Sequence, residues 1–171
     1  MRRLTKIFAG LVAISVAGCA EAPAPVAPVV TQEPVMYRSL AAPGAAVDPE
    51  AARAMLSLYR ANKGLSPLAV DPGLQRVAEA QARAMAADGQ ISHDAHGSLT
   101  QRLTAAGYGR NTAVENVSAG YHTLAEAFSG WRDSPPHNRN MLEPKMRRMG
   151  IASAYAPGAR YKVFWALVMT D

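Results

Sequence analysis

Apolar side chains recur at helical spacing in two consecutive segments of the chain. Each segment opens with Asp-Pro, at positions 48–49 and 71–72, and each closes with a glycine, Gly64 or Gly89. Aspartate caps the first free N–H groups of a helix, proline suits its first position, and glycine favours its end. Both segments are therefore predicted to be helices with one buried stripe. The stripes are Ala52, Met55, Leu56 and Tyr59 in the first, and Leu74, Val77, Ala78, Ala82 and Met85 in the second.

Two shorter helices are predicted in the middle of the chain. One spans Leu99 to Ala106 and is stopped by Gly107. The other starts at Thr123, with Glu126 three residues later, as in a capping box. Its inward positions are Leu124, Ala127, Phe128 and Trp131.

A break and a hairpin complete the pattern. The pair Pro135-Pro136 stops the fourth helix, and a short turn is expected over residues 138–142. The runs "MGIASAYA" and "YKVFWALVMT" flank Pro157-Gly158, a turn signal, and so predict a β-hairpin. Helices first and a terminal hairpin last indicate an α+β fold.

The first 48 residues are expected to lie outside the folded domain. A basic start, "MRRLTK", precedes an apolar run at 7–17 that is too short to span a membrane, as in an export signal. "VAGC" at 16–19 resembles a bacterial lipobox, which implies that Cys19 is lipidated. An ordinary secretory signal that happens to contain Cys19 is the alternative. We expect a signal peptide over 1–18, an Ala/Pro-rich tether over 19–48 and a folded domain over 49–171.

Charge and cysteine content narrow the class of partner. The formal charge of +5 includes Arg2, Arg3 and Lys6 of the leader, so residues 19–171 carry 15 Lys and Arg against 13 Asp and Glu. With basic and acidic residues nearly equal in number, the domain has no dense basic stripe of the kind that nucleic-acid binders carry. No nucleic-acid partner is expected. Cys19 is the only cysteine, so a lipidated chain has no disulfide and depends on its apolar core.

Candidate chemistry is concentrated in three separated segments. His93 lies in "ISHDAHG", just beyond the second helix, and His137 follows the Ser-Pro-Pro break. Glu115 lies in "AVENVSAG" among apolar neighbours, where a carboxylate requires a partner such as a histidine. We expect the three side chains to meet in a cleft. The alternative is that Ser-Pro-Pro only ends a helix and that His137 is a structural, hydrogen-bonded residue.

These fragments, in this order, resemble the CAP superfamily of cysteine-rich secretory proteins, antigen 5 and pathogenesis-related 1 proteins, in its bacterial branch. "ENV" is similar to the Glu-Asn motif of the family, and "WRDSPPHNRNML" to its Trp-x-x-Ser-Pro-x-His-x-x-Asn-Ile-Leu motif, with Met141 in the isoleucine position. The first two helices, the histidine after them and the closing strands also match. The resemblance covers roughly residues 50–170 and identifies the predicted domain over 49–171 as a CAP (SCP) domain.

The resemblance implies a three-layer α-β-α sandwich with a small antiparallel sheet between helices. It also implies a cavity with two histidines and two acidic residues. His93 and His137 match the histidines and Glu115 the first acid, whereas Ser134 occupies the position of the second acid. The expected cleft residues are therefore His93, Glu115, Ser134 and His137, and the tetrad is incomplete.

Two functions from different classes follow for the cleft. We expect binding, without turnover, of a lipid, a cell-wall fragment or a protein. Zinc or another divalent cation on His93 and His137 is possible chemistry, and two imidazoles make a weak, exchangeable site. The alternative is a metal-dependent hydrolase of an envelope substrate that uses Glu115 and His137. A Ser134 nucleophile is disfavoured because no oxyanion device accompanies it.

The expected location is the bacterial cell envelope, with the membrane as a partner through lipidated Cys19. Ala20 follows that cysteine. In a bacterium with two membranes, alanine there is compatible with the outer membrane and its periplasmic side.

Overall fold

A four-stranded sheet forms the middle layer of the domain. The computed structural model describes residues 32–171. The strand order is β1-β3-β4-β2; β1 pairs with β3 in parallel, and the other neighbours are antiparallel. Every residue of the central β4 is buried. The strands are Ala69–Val70 (β1), Ala113–Ala119 (β2), Arg148–Tyr155 (β3) and Val163–Thr170 (β4).

Five α-helices cover the two faces of this sheet. Helices α1, α4 and α5 pack on one face, where Trp131, Met141 and Trp165 are buried. Helices α2 and α3 pack on the other face, where Leu74 and Phe164 are buried. The predicted α+β, three-layer α-β-α arrangement is confirmed. The helices are Pro49–Ala61 (α1), Pro72–Asp88 (α2), Leu99–Ala105 (α3), Leu124–Asp133 (α4) and Pro135–Met141 (α5).

The predicted helix signals act as expected. The Asp48 carboxylate accepts hydrogen bonds from the first N–H groups of α1, and Asp71 does the same for α2. Gly89 ends α2 in the left-handed conformation with φ 67°, which costs glycine little because it has no Cβ. Thr123 and Glu126 form the predicted capping box of α4.

Helix α2 lies directly against the main chain of β3. A Cβ on Gly150 would clash with the backbone of Leu74 and Gln75. The Gln75 amide donates to Ile151 O at 2.8 Å, and its oxygen accepts from Ile151 N at 3.1 Å. Strand β1 is only two residues long, and the Gln75 side chain hydrogen-bonds the main chain of β3 beyond the point where β1 ends.

Residues 32–48 pack on the domain, in the part of the chain where the sequence predicted a tether. A 3₁₀ turn spans Val35–Tyr37. Leu40 and Val47 are buried in the core beside α1 and α4. Within residues 32–171, no helix is long and apolar enough to cross a membrane. The predicted signal peptide, Cys19 and the tether up to residue 31 lie outside the described residues.

The proline pair both ends one helix and begins the next. Ser134 lies between α4 and α5, and Pro135 and Pro136 occupy the first two positions of α5. The first N–H groups of a helix have no intrahelical partner, so proline loses nothing there and its φ is already helical. The prediction of a short turn over 138–142 was therefore wrong, since those residues mostly continue α5.

A buried arginine fixes the end of α5 to α1. Arg60 has no exposed surface. Its guanidinium donates to Ser66 O at 2.9 Å, Met141 O at 2.8 Å, Glu143 O at 3.0 Å and Met146 O at 3.1 Å. Burial lowers the pKa of Arg60. Carbonyl groups at a helix C-terminus carry partial negative charge, which stabilises the buried cation.

Candidate functional site

His93 and Glu115 form a contact across the edge of the sheet. His93 lies in the loop between α2 and α3, and Glu115 lies on the edge strand β2. His93 Nδ1 and Glu115 Oε2 are 2.8 Å apart; the histidine side chain is 60% exposed and the glutamate side chain only 2%. A buried carboxylate thus holds one nitrogen of an exposed ring, which leaves Nε2 for a ligand.

Arg102 of α3 supports this pair from inside the protein. Its Nη1 lies 2.9 Å from Glu115 Oε1. Neither atom makes a hydrogen bond of good geometry in residues 32–171. The N–H group is therefore not directed at the oxygen, and the contact is a buried ion pair. Arg102 also donates to Gly97 O at 2.8 Å and His93 O at 2.9 Å.

Sequence reasoning did not identify Arg102, although the sequence contains a signal. Leu99, Arg102 and Leu103 follow helical spacing on the predicted third helix. Arg102 therefore falls on the apolar face of that helix, where a charged side chain requires a buried partner.

His137 lies on α5, near the same edge of β2. It is half-buried. Burial, and then the charge of His93, lower the pKa of His137, so the two rings lie within electrostatic reach of each other. No hydrogen bond links His137 to the side chains of His93 or Glu115 in the described chain. The structure thus contains one direct pair, His93 and Glu115, with His137 on the helix next to β2. That all three side chains share one cleft stays a prediction.

Two asparagines attach α5 to β2. The Asn140 amide donates to Glu115 O and to Asn116 Oδ1, both at 2.9 Å. The Asn116 amide in turn donates to His137 O at 3.1 Å. The polar run of the motif therefore fixes the helix that carries His137 to the strand that carries Glu115.

Trp131 of the same motif is a core residue. Its indole N–H donates to Ser118 Oγ at 3.1 Å, and its ring packs edge-on against Trp165. Met141 is fully buried, while Phe128 and Tyr121 pack against the same core. These four side chains therefore serve mainly in packing.

Ser134 does not join the cluster as a nucleophile. It is half-buried between α4 and α5 and its side chain does not cap α5. Across residues 32–171, no hydrogen bond connects Ser134 with His137. The other two histidines, His96 and His122, are exposed.

A groove of about 570 Å³ lies on the α2/α3 side of the domain. Val77 and Ala80 of α2 and Ala105 of α3 line it, and His96 and Arg102 contribute to its wall. His93, Glu115 and His137 are not part of its lining. The groove therefore does not include the polar cluster of His93, Glu115 and His137, although Arg102 contributes to the groove wall and also contacts Glu115.

The chain is similar to proteins of known family and structure. The model of the cysteine-rich secretory protein family, CAP, matches residues 54–169. The uncharacterized protein YkwD of Bacillus subtilis (strain 168) is 30% identical over 94 residues, which are 54% of this chain and 37% of that protein. The chain thus spans little more than a third of this curated relative.

Solved structures show the same fold. An extracellular protein containing a SCP domain from Bacillus anthracis str. Ames has a TM-score of 0.62 and 25% identity, covering 72% of this chain and 40% of the other. An outer surface protein from Borrelia burgdorferi has a TM-score of 0.64 and 19% identity, covering 71% and 90%. A cysteine-rich secretory protein from Staphylococcus aureus subsp. aureus Mu50 has a TM-score of 0.59 and 19% identity, covering 71% of this chain and 37% of the other.

Proposed function

This chain belongs to the cysteine-rich secretory protein (CAP) family, and on that premise we propose that it binds a ligand, without turnover, at the cleft of His93, Glu115 and His137. The carrying observation is the exposed His93 ring held through Nδ1 by a buried carboxylate. An anionic acceptor on Nδ1 places the proton of a neutral ring there and leaves a lone pair on Nε2. Such a nitrogen accepts a hydrogen bond from a hydroxyl or an amide.

The ligand is a component of the cell envelope that offers such donors. Sugar hydroxyls of a cell-wall fragment, a lipid headgroup and a protein partner all qualify chemically. Among them, the exposed His93 ring favours a hydroxyl-rich cell-wall fragment, because the large apolar side chains nearby are used in the core.

The donor set supports at most a weak metal site. Two imidazoles facing one cleft would bind zinc or another divalent cation, and His93 and His137 would hold it. Within residues 32–171, no three His, Cys, Asp or Glu side chains are grouped to bind a metal. Glu115 contacts His93 through Oε2 and Arg102 through Oε1, so its role is to orient a ring. A catalytic zinc site with three protein ligands does not fit these residues.

The hydrolase alternative receives less support from this geometry. It requires Glu115 or His137 as a base near a substrate. The Glu115 side chain is 2% exposed and both of its oxygens face cationic or imidazole partners. Binding without chemistry therefore accounts for the cluster with fewer assumptions.

We propose export and lipid anchoring for the location. Two similar proteins are described as an extracellular and an outer surface protein. The leader over 1–18 and the lipobox-like "VAGC" add a lipid at Cys19, and Ala20 favours the outer membrane of a two-membraned bacterium. Membrane fractionation of Cys19→Ala tests this: the variant should leave the membrane fraction, and full retention there would contradict the lipid anchor.

Binding assays with three variants test the function. Purified cell-wall fragments and vesicles of stated lipid composition are titrated with the wild type, His93→Ala, His137→Ala and the exposed control His122→Ala. We expect binding of the fragments, at least tenfold weaker binding in the first two variants and no change in the control. Equal binding by all four proteins would contradict the cleft. Turnover that a chelator abolishes and zinc restores would favour the hydrolase instead.

A further inference from the structure

We propose that Arg102 is the positioning residue of His93, which sets the ring tautomer that the site presents. This inference rests on the proposed binding role of His93 and deepens it. Arg102 touches no ligand atom in this proposal. It acts through Glu115 and through the main chain of the loop that carries His93.

The first part of the argument is the loop itself. Residues 90–98 lie between α2 and α3, outside both helices. Two buried polar side chains hold the main chain of this loop. Gln81 donates to Ser92 O at 2.6 Å and accepts from His96 N at 3.2 Å. Arg102 donates to the carbonyl groups of His93 and Gly97.

The second part is the direction of the Glu115 carboxylate. Arg102 Nη1 lies beside Oε1, while Oε2 faces His93 Nδ1. The side chains of Arg102 and Glu115 are 4% and 2% exposed, so little water screens the pair. The cation beside Oε1 holds the carboxylate with Oε2 toward the ring, where a carboxylate oxygen accepts a hydrogen bond from a proton-bearing Nδ1.

Arginine suits this task through its shape. Its planar guanidinium donates hydrogen bonds to two loop carbonyls and at the same time places Nη1 beside the Glu115 carboxylate as an ion pair. A lysine carries the same charge on a single nitrogen and cannot support all three from one position. Arg102 therefore links the path of the loop to the orientation of the carboxylate.

The test reads the tautomer of His93 by long-range ¹H–¹⁵N correlation at a pH where the ring is neutral. In the wild type, Nδ1 should carry the proton. In Arg102→Met, the ratio should move toward the Nε2–H form by about tenfold or more, the factor that one hydrogen bond to a charged group supplies. Arg102→Lys should give an intermediate ratio. An unchanged ratio in Arg102→Met, or in Arg102→Lys if the first variant does not fold, overturns the proposal.

A matched control separates positioning from general loss of stability. Leu103→Ala removes a neighbouring buried side chain of α3 and should destabilise the protein without changing the tautomer ratio. A shift in this control as large as that in Arg102→Met also overturns the proposal. The readout requires no ligand. An Arg102 effect without any fragment binding would refute the proposed function alone, whereas fragment binding with an unmoved tautomer would refute the positioning role alone.

Discussion

Asn140→Ala tests whether the motif asparagine fixes α5 to the edge strand. The substitution removes an amide that donates to Glu115 O and Asn116 Oδ1, both at 2.9 Å. Both acceptors remain in a partly buried place without a donor. The strand that carries Glu115 and the helix that carries His137 should then separate or rearrange.

The expected loss of stability follows from the two hydrogen-bond acceptors that are left without a donor. Leaving one buried polar group without its partner costs about 1–3 kcal/mol, and partial burial puts each group near the lower end. The free energy of unfolding should therefore fall by roughly 2–3 kcal/mol. At about 2–4 °C per kcal/mol for a domain of this size, the Tm should fall by roughly 4–12 °C.

Urea unfolding followed by circular dichroism measures this loss. Arg139→Ala is the matched control, because it lies next to Asn140 on α5 and is exposed; its effect should stay within about 0.5 kcal/mol. The double variant with Asn116→Ala should cost about 0.5 kcal/mol or more less than the sum of the single variants, since removing both partners strands fewer groups. A wild-type stability in Asn140→Ala, or full additivity, would refute the reasoning.

Three further changes test the packing and the electrostatics. Gly150→Ala pushes α2 off the sheet and should cost about 3 kcal/mol or more in chemical unfolding; an unchanged midpoint would contradict the contact. Leu40→Ala should cost about 2 kcal/mol or more, whereas the exposed Tyr37→Ala should cost little, and equal effects would argue against docking of residues 32–48. Burial and the charge of His93 lower the pKa of His137 below its ordinary 6.5. The unfolded chain then binds the proton more readily, so stability is lost as the pH falls through 6.5 toward the folded pKa. His137→Asn should show a smaller loss across this window, and identical pH profiles would contradict this assignment.

The local signals predicted elements well and their partners poorly. We find helix starts at both Asp-Pro pairs, a helix end at Gly89 and the capping box of α4, as predicted. Each of these signals depends only on neighbouring residues. The strand β2 was not predicted. Residues 115–118 are all buried, and three of them are polar, which breaks the alternation that identifies a half-buried strand.

The polar pattern of β2 has a tertiary cause. Glu115 faces the α2/α3 layer and meets Arg102, whereas Asn116 and Ser118 face α5 and α4 and meet Asn140 and Trp131. These partners lie outside the strand along the chain. A propensity argument on the strand alone cannot supply them.

The Ser-Pro-Pro break is a second place where a local sequence signal does not determine the structure. Proline ends one helix and also suits the first turn of another, so the local signal fits both outcomes. Hydrogen bonds from Arg60 to the last carbonyl of α5, and from Asn140 to β2, favour a second helix over a turn.

By itself the sequence determined the four main helix starts, the hairpin and, through its ordered motifs, the family. Those properties depend on short-range sterics, hydrogen bonds and apolar periodicity. Only the tertiary structure decided that Glu115 lies against His93, 22 residues away, with Arg102 behind it, and that residues 32–48 belong to the domain. Those outcomes depend on which surfaces meet when the layers pack. Burial and charge pairing between segments that are distant along the chain determine this.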